Sequence, residues 1–148
     1  MPFTIRKKFK AEYAHQLETA FSSACYETIH GHSAVIELLI QSNRLNSDGM
    51  IIDFGEIKSY VTEIIDQFDH ALIMPLSMLQ KHYDYFEALE KHNKKLMLFP
   101  SNPTAENMAK FICKQIRRAI DKNWKNAYYA NLTVRFHETE TGWAEYTE

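Results

Sequence analysis

Two histidines flank one glycine at His30-Gly31-His32, and a third, His15, ends an alternating segment upstream. Residues two apart on a β-strand project from the same face, so both imidazoles of the triplet point one way. Gly31 leaves the opposite face bare and lets backbone or ligand approach closely. If a strand ending at His15 pairs antiparallel with one beginning at His30, three neutral imidazoles converge. Such a set leaves one tetrahedral position free, the arrangement of a catalytic zinc. The triplet alone is equally compatible with an incidental strand end; His15 at the expected meeting point turns the balance toward metal.

Cys25 and Glu27 lie in the stretch that feeds this pair. A cysteine close to Zn²⁺ has its thiolate stabilised and becomes a usable base or nucleophile, and Glu27 is the other strong base nearby. The plain alternatives are a small buried thiol and a solvated loop charge. Asp69-His70 is a neighbouring carboxylate and imidazole that can form a polarised proton relay. Glu138, followed by Thr139, ends a strand. Its carboxylate can accept two parallel hydrogen bonds from an amidine-like edge such as a 2-aminopyrimidinone, or it is simply an exposed hairpin-end charge. Cys113 lies within a helix with no partner motif and reads as structural. His82, His92 and His137 have no spacing that points to chemistry.

The elements that must position these groups follow from periodicity. Phe3, Ile5, Phe9, Ala11, Tyr13 and His15 alternate with Thr4, Arg6, Lys8, Lys10 and Glu12, a period-2 strand with Lys7 as the exception on the apolar side. Residues 16–29 form a polar stretch too long for a hairpin turn. From His30 the even positions Ala34, Ile36, Leu38 and Ile40 continue a second strand. Phe54, Ile57, Val61, Ile64, Ile65 and Phe68 have helical spacing behind a capping-box pattern at Asp53 and Glu56. Met108, Phe111, Ile112, Ile116, Ile120 and Trp124 mark a second helix opened by Pro103-Thr104. Residues 74–95 give only a short helical pattern at Leu79, Tyr83, Phe86 and Leu89. The tail alternates from Tyr128 to Phe136 and again from Trp143 to Tyr146. Terminal hairpins around central helices predict an α+β domain with an antiparallel sheet.

Composition bounds the rest. The 148 residues are 45% hydrophobic and 24% charged, a profile suited to one globular domain over residues 1–148. A formal charge of −2 provides no basic field to hold nucleic acid. Two cysteines are too few for a secreted disulfide framework, and no apolar run has the length of a membrane span or signal segment. The expectation is a cytoplasmic protein with no nucleic-acid or membrane partner.

Taken in order, the histidine of Ala14-His15, the loop cysteine, His30-Gly31-His32 and residues 49–54 (GMIIDF) form the first half of a longer pattern. It continues with Phe68-Asp69-His70, Pro103-Thr104-Ala105-Glu106-Asn107, and Glu138-Thr139 before Trp143-Ala144-Glu145-Tyr146. This series resembles the 6-pyruvoyltetrahydropterin synthase / 6-carboxytetrahydropterin synthase family nearly end to end. The resemblance implies a tunnelling fold, in which ββααββ subunits carry helices on one face of the sheet and join into an oligomeric barrel, a trimer or hexamer. It implies zinc held by His15, His30 and His32, Cys25 as base, and Asp69 and His70 as a relay from a neighbouring subunit. Glu138 would anchor the pterin, with Thr104 and Glu106 lining its pocket.

The implied activity is a zinc-dependent lyase converting 7,8-dihydroneopterin triphosphate to 6-carboxy-5,6,7,8-tetrahydropterin, a queuosine precursor. The chain departs from the family at one point. Four residues separate Cys25 from His30, where members making the carboxy product usually have three and biopterin-pathway members five. Glu27, with two residues between it and His30, has the spacing of a subgroup that makes 6-hydroxymethyl-dihydropterin for folate synthesis. Cleavage to that product, or 6-pyruvoyltetrahydropterin synthesis, is therefore an alternative. A non-catalytic protein with structural zinc and a metal-free pterin- or purine-binding enzyme are the alternatives of other kinds. Lys7, Lys8 and Lys10 are candidates for local attraction of the triphosphate.

Overall fold

Thirteen alternating residues form β1 (Phe3–His15) and thirteen more form β2 (His30–Ser42) in the computed structural model, which describes all 148 residues. The two strands pair antiparallel along their whole length, from Phe3 opposite Ser42 to His15 opposite His30. Alternation sends Ala11, Tyr13 and His15 of β1 and Ala34, Ile36, Leu38 and Ile40 of β2 into the interior, where all are buried. Between the strands, residues 16–29 hold one short helix, α1 (Ser23–Tyr26).

Helices α2 (Phe54–Asp66) and α4 (Ala105–Asn123) cover the inner face of the sheet. Both starts are fixed by side chains that satisfy otherwise orphaned amides. Asp53 accepts a hydrogen bond from the Gly55 N–H at 2.5 Å and Thr104 one from the Asn107 N–H at 3.3 Å. The stripe Met108, Ile112, Cys113, Ile116 and Ile120 of α4 is fully buried against the sheet. Burial pushes the Cys113 thiol up to about 11, which leaves it inert, as its helical position predicts. The chain closes with the antiparallel hairpin β5 (Ala130–His137) and β6 (Trp143–Thr147), added to β2. A 3₁₀ turn at Ala127–Tyr129 takes the place of the strand start expected at Tyr128.

The region after His70 differs from expectation. Beside the short helix α3 (Tyr83–Lys91), it contributes two strands, β3 (Leu72–Pro75) and β4 (Leu96–Phe99). They pair parallel with each other, and β3 joins β1 in parallel at Ala14 and His15, so the six-stranded sheet runs β4-β3-β1-β2-β5-β6 and is mixed, not purely antiparallel. Parallel neighbours need a crossover, and α3 supplies it. Ile73 and Phe99 join the main core, whereas Leu72, Met74 and Leu96 pack with Met78 and Phe86 in a second cluster. Helix α3 thus lies on the face opposite α2 and α4, so at this edge the helices are not confined to one face. From Phe3 to Lys10 the outer side of β1 has no strand beside it. No helix is long and apolar enough to cross a membrane.

Ile112 is fully buried at the centre of α4, whereas Lys114 faces outward. Ile112→Ala should therefore cost about 2–5 kcal/mol in urea denaturation, against less than about 0.5 kcal/mol for Lys114→Ala.

Candidate metal centre and active site

The β1–β2 ladder ends on the residue pair His15 and His30, and one step inward Tyr13 faces His32. All four side chains lie on the inner face, beyond the start of α4. The ligand nitrogens of His15, His30 and His32 fall within 4.8 Å of one another. His15 Nδ1 donates to the Pro103 carbonyl at 2.9 Å, and His30 Nδ1 to the Thr28 carbonyl at 3.3 Å. These bonds select the tautomers in which both Nε2 atoms carry lone pairs.

Those two Nε2 atoms are only 3.0 Å apart. The third, on His32, is buried with no hydrogen-bond partner. Converging unshared lone pairs, one of them orphaned, fit a cation between them; a proton or a metal ion would relieve the contact. Three neutral imidazoles are a donor set suited to a divalent transition metal with a further coordination position left open. The cluster can hold a metal.

The electrostatics favour the neutral, ligating form. Burial, reinforced by His30 and His32, pushes the His15 imidazole down to about 4, against the opposing Pro103 carbonyl. Burial also lowers His32, although Glu138 opposes that shift. Glu138 Oε1 lies 3.6 Å from His15 Nε2 and 3.7 Å from His32 Nε2, and accepts a 3.4 Å hydrogen bond from the Tyr13 hydroxyl. Burial and this carboxylate together hold the Tyr13 phenol protonated well above its ordinary range. Glu138 also lines a cavity of about 330 Å³ with Thr104, Glu106, Leu17 and Trp143. The first turn of α4 opens onto it, adding the positive end of a helix dipole. The three groups read as pterin-binding thus share one cavity beside the histidines.

Cys25 is half-buried in α1, its carbonyl accepting from the Leu17 N–H at 2.9 Å. Glu27 is exposed at the C-terminal end of the same helix. Asp69 and His70 are not gathered with the three histidines. Asp69 Oδ1 accepts from the Glu12 N–H at 2.8 Å, and Asp69 Oδ2 from His70 Nδ1 at 2.8 Å. The Glu12 amide and His70 hold the Asp69 carboxyl below its usual range. His70 has φ of +56°, a left-handed conformation that turns its exposed ring outward. It lines an open groove of about 690 Å³ with Ser33, Tyr85, Lys94 and Lys95. The outer-face strand residues Glu12, Ala14, Gly31 and Ser33 line it together with Tyr13 and His32, and His70 is not among the converging donors of the three-histidine cluster.

The lysines do not serve the histidine site within one subunit. Lys7 extends over the Phe54 ring at 5.5 Å, and Lys8 pairs at 3.2 Å with the buried carboxylate Glu37 on the outer face. Lys10 shares the outer face with Lys8. Sequence reasoning missed Tyr13, the Pro103 carbonyl and Asn102, whose side chain ties Glu18 and Thr19 of the Cys25 loop to the turn before α4. Of these only Tyr13 had a signal, because period-2 alternation sets it on the face of His15.

The His15 shift has a measurable sign. The unfolded chain takes up a proton near pH 6.5 and the folded chain only near pH 4, so stability is full above the higher value and falls as pH drops between them. Metal-free protein should lose about 2 kcal/mol in urea denaturation between about pH 7 and about pH 5, a loss that bound metal removes.

Comparison with known proteins agrees with this geometry. The family model described as 6-pyruvoyl tetrahydropterin synthase matches residues 4–148. The 6-carboxy-5,6,7,8-tetrahydropterin synthase of Helicobacter pylori is 30% identical over 95% of this chain and 70% of its own length. That of Rickettsia felis is 37% identical over 79% and 81%. Among solved structures, the Plasmodium vivax 6-pyruvoyl tetrahydropterin synthase superposes with a TM-score of 0.74 at 18% identity, covering 100% of this chain and 98% of that one. The same enzyme has been solved with a catalytic glutamate replaced by alanine. A protein from Wolinella succinogenes gives a TM-score of 0.78 at 18% identity over 99% of this chain and 98% of its own. Matched by that family model over almost its full length, and sharing the fold of the solved structures, the chain belongs to the 6-pyruvoyl tetrahydropterin synthase family.

Proposed function

We propose that the chain is a zinc-dependent lyase that converts 7,8-dihydroneopterin triphosphate to 6-carboxy-5,6,7,8-tetrahydropterin. The carrying observation is the convergence of three imidazole nitrogens beside a cavity lined by Thr104, Glu106 and Glu138. Zinc on His15, His30 and His32 would supply Lewis acidity toward the hydroxyl oxygens of the substrate side chain. The Glu138 carboxylate receives the two parallel N–H groups of the pterin edge, and Tyr13 fixes that carboxylate. Cys25 takes the proton from the side-chain carbon next to the ring. His70, its tautomer set by Asp69, moves protons at the neighbouring hydroxyl through its outward ring nitrogen.

Because Asp69 and His70 are not gathered with the three histidines of their own chain, a complete site takes the pair from another copy, which makes the working form a homo-oligomer. A non-catalytic structural zinc site is the weaker alternative. Such sites are closed by four protein ligands, usually with cysteine, and Cys25 is not among the converging donors. A second activity has a specific basis in Glu27, which shares α1's end with Cys25, and a glutamate is catalytic in the Plasmodium vivax relative. Acting as base, Glu27 would drive cleavage to 6-hydroxymethyl-dihydropterin.

Each of His15→Ala, His30→Ala and His32→Ala should lower bound zinc from one per chain to a small fraction, measured by elemental analysis, with far-UV circular dichroism retained. Full zinc in all three variants refutes the site.

Incubation of zinc-loaded protein with dihydroneopterin triphosphate, followed by mass identification of the pterin, tests the activity. Cys25→Ala should lower the carboxy product by 10²–10⁴-fold, roughly 3–5 kcal/mol, and spare some hydroxymethyl product. Glu27→Ala should do the reverse at unchanged zinc content; an unchanged product ratio leaves a single cysteine-based synthase.

A further inference from the structure

No residue from 16 to 29 is buried, and Phe21 is fully exposed. The segment that carries Cys25 therefore has no apolar anchor in the core, and its position depends on polar ties. One set comes from the turn before α4: the Glu18 N–H donates to Asn102 Oδ1 at 2.8 Å, and Asn102 Nδ2 donates to the Thr19 carbonyl at 2.9 Å. A second set comes from the segment between β3 and α3. Ser77 Oγ donates to Glu18 Oε2 at 2.5 Å, and Lys81 Nζ donates to Glu18 Oε1 at 2.7 Å. Both carboxylate oxygens are thus engaged by one short stretch of chain, and these two bonds hold the Glu18 carboxyl below its usual range.

From Glu18 the connection to the chemistry is direct. Its neighbour Leu17 donates its N–H to the Cys25 carbonyl at 2.9 Å, and Gln16 Nε2 donates to the Tyr26 carbonyl at 2.7 Å. The root of the loop is thereby coupled to α1 at the residue read as base. At the other end Gln16 N–H reaches the Ile73 carbonyl of β3 at 3.4 Å. The β3–α3 region touches the loop at its root, through groups whose places are set by the sheet and the second apolar cluster.

We propose that Glu18, held by Ser77 and Lys81, is a positioning residue that keeps the Cys25 loop in register with the three-histidine centre. This assignment rests on Cys25 being the base, and it gives the β3–α3 segment a role in the reaction without touching substrate. A base displaced by about 1 Å can lose on the order of 100-fold in rate, whereas the exposed ion pair itself adds little to global stability.

The experiment compares Glu18→Ala, Ser77→Ala with Lys81→Met together, and Lys81→Arg, all in the zinc-loaded full chain. Hydrogen exchange followed by mass spectrometry should show residues 16–26 exchanging at least about tenfold faster in the first two variants, with α4 and the sheet unchanged. Their kcat for the carboxy product should fall about tenfold or more with KM within about twofold and zinc content unchanged, and Lys81→Arg should restore both readouts. Unchanged loop exchange overturns the clamp. Faster exchange with unaltered kcat overturns its positioning role. Wild-type protein that forms no pterin product refutes the lyase assignment instead, and the exchange measurement then decides the clamp alone.

Discussion

The register of the β1–β2 ladder fixes almost everything else in this molecule. Pairing His15 with His30 brings two imidazoles across one rung, and pairing Tyr13 with His32 brings the third histidine and its aromatic neighbour one step inward. Side chains alternate with a period of two, so a slip by one residue would turn either strand's share of the cluster to the opposite face. The same slip would expose Ala11, Tyr13 and the buried even positions of β2. Apolar burial along thirteen rungs thus enforces the alignment of the last one, and the metal centre inherits a precision that no loop could supply.

Around that rung burial favours the neutral form of His15 and His32. The interior lowers His15 and His32, and two backbone carbonyls choose which nitrogen stays open. Glu138 stands close enough to sense the cluster yet belongs to the neighbouring cavity, so the histidine cluster and that cavity meet at one carboxylate. On the other face, Asp69 and His70 are organised separately, with the Glu12 backbone as their support. Lys95 adds to this by donating to the carbonyls of Asp66 and Asp69 at the end of α2. The sheet thus holds two separate polar clusters, the three histidines and the Asp69-His70 pair.

Much of this was legible in the residues. Alternation in β1 and β2 predicted both strands and the meeting of His15 with His30, and helical spacing with capping residues predicted α2 and α4. The edge strands were hidden for a physical reason. Leu72-Ile73-Met74 is a continuous apolar run because side chains pack on both faces of β3, and a strand buried on both faces loses the period-2 signal; Leu96-Met97-Leu98-Phe99 is an equally continuous run, on an edge strand where Leu98 stays exposed. Individual ties such as Asn102 to the loop root, or Ser77 to Glu18, depend on tertiary proximity between distant segments and leave no local pattern. That Asp69-His70 stands apart from the three histidines had no signal in residue spacing; the pair ends in a left-handed turn at His70.

The bare outer side of β1 has a consequence for the newly made chain. Over its first eight residues, Phe3 to Lys10, this strand has a neighbour on one side only, which leaves a row of amides and carbonyls able to template any extended polypeptide. Arg6, Lys8 and Lys10 project from the same stretch; Arg6 and Lys8 share the single carboxylate of Glu37, and the net positive charge that is left disfavours a second copy of the same edge. Self-association through that edge is discouraged in an in-register or antiparallel stack of identical strands, while a differently charged strand faces no such barrier. The basic side chains along this edge thus disfavour like-with-like pairing and leave it open to a strand of opposite charge.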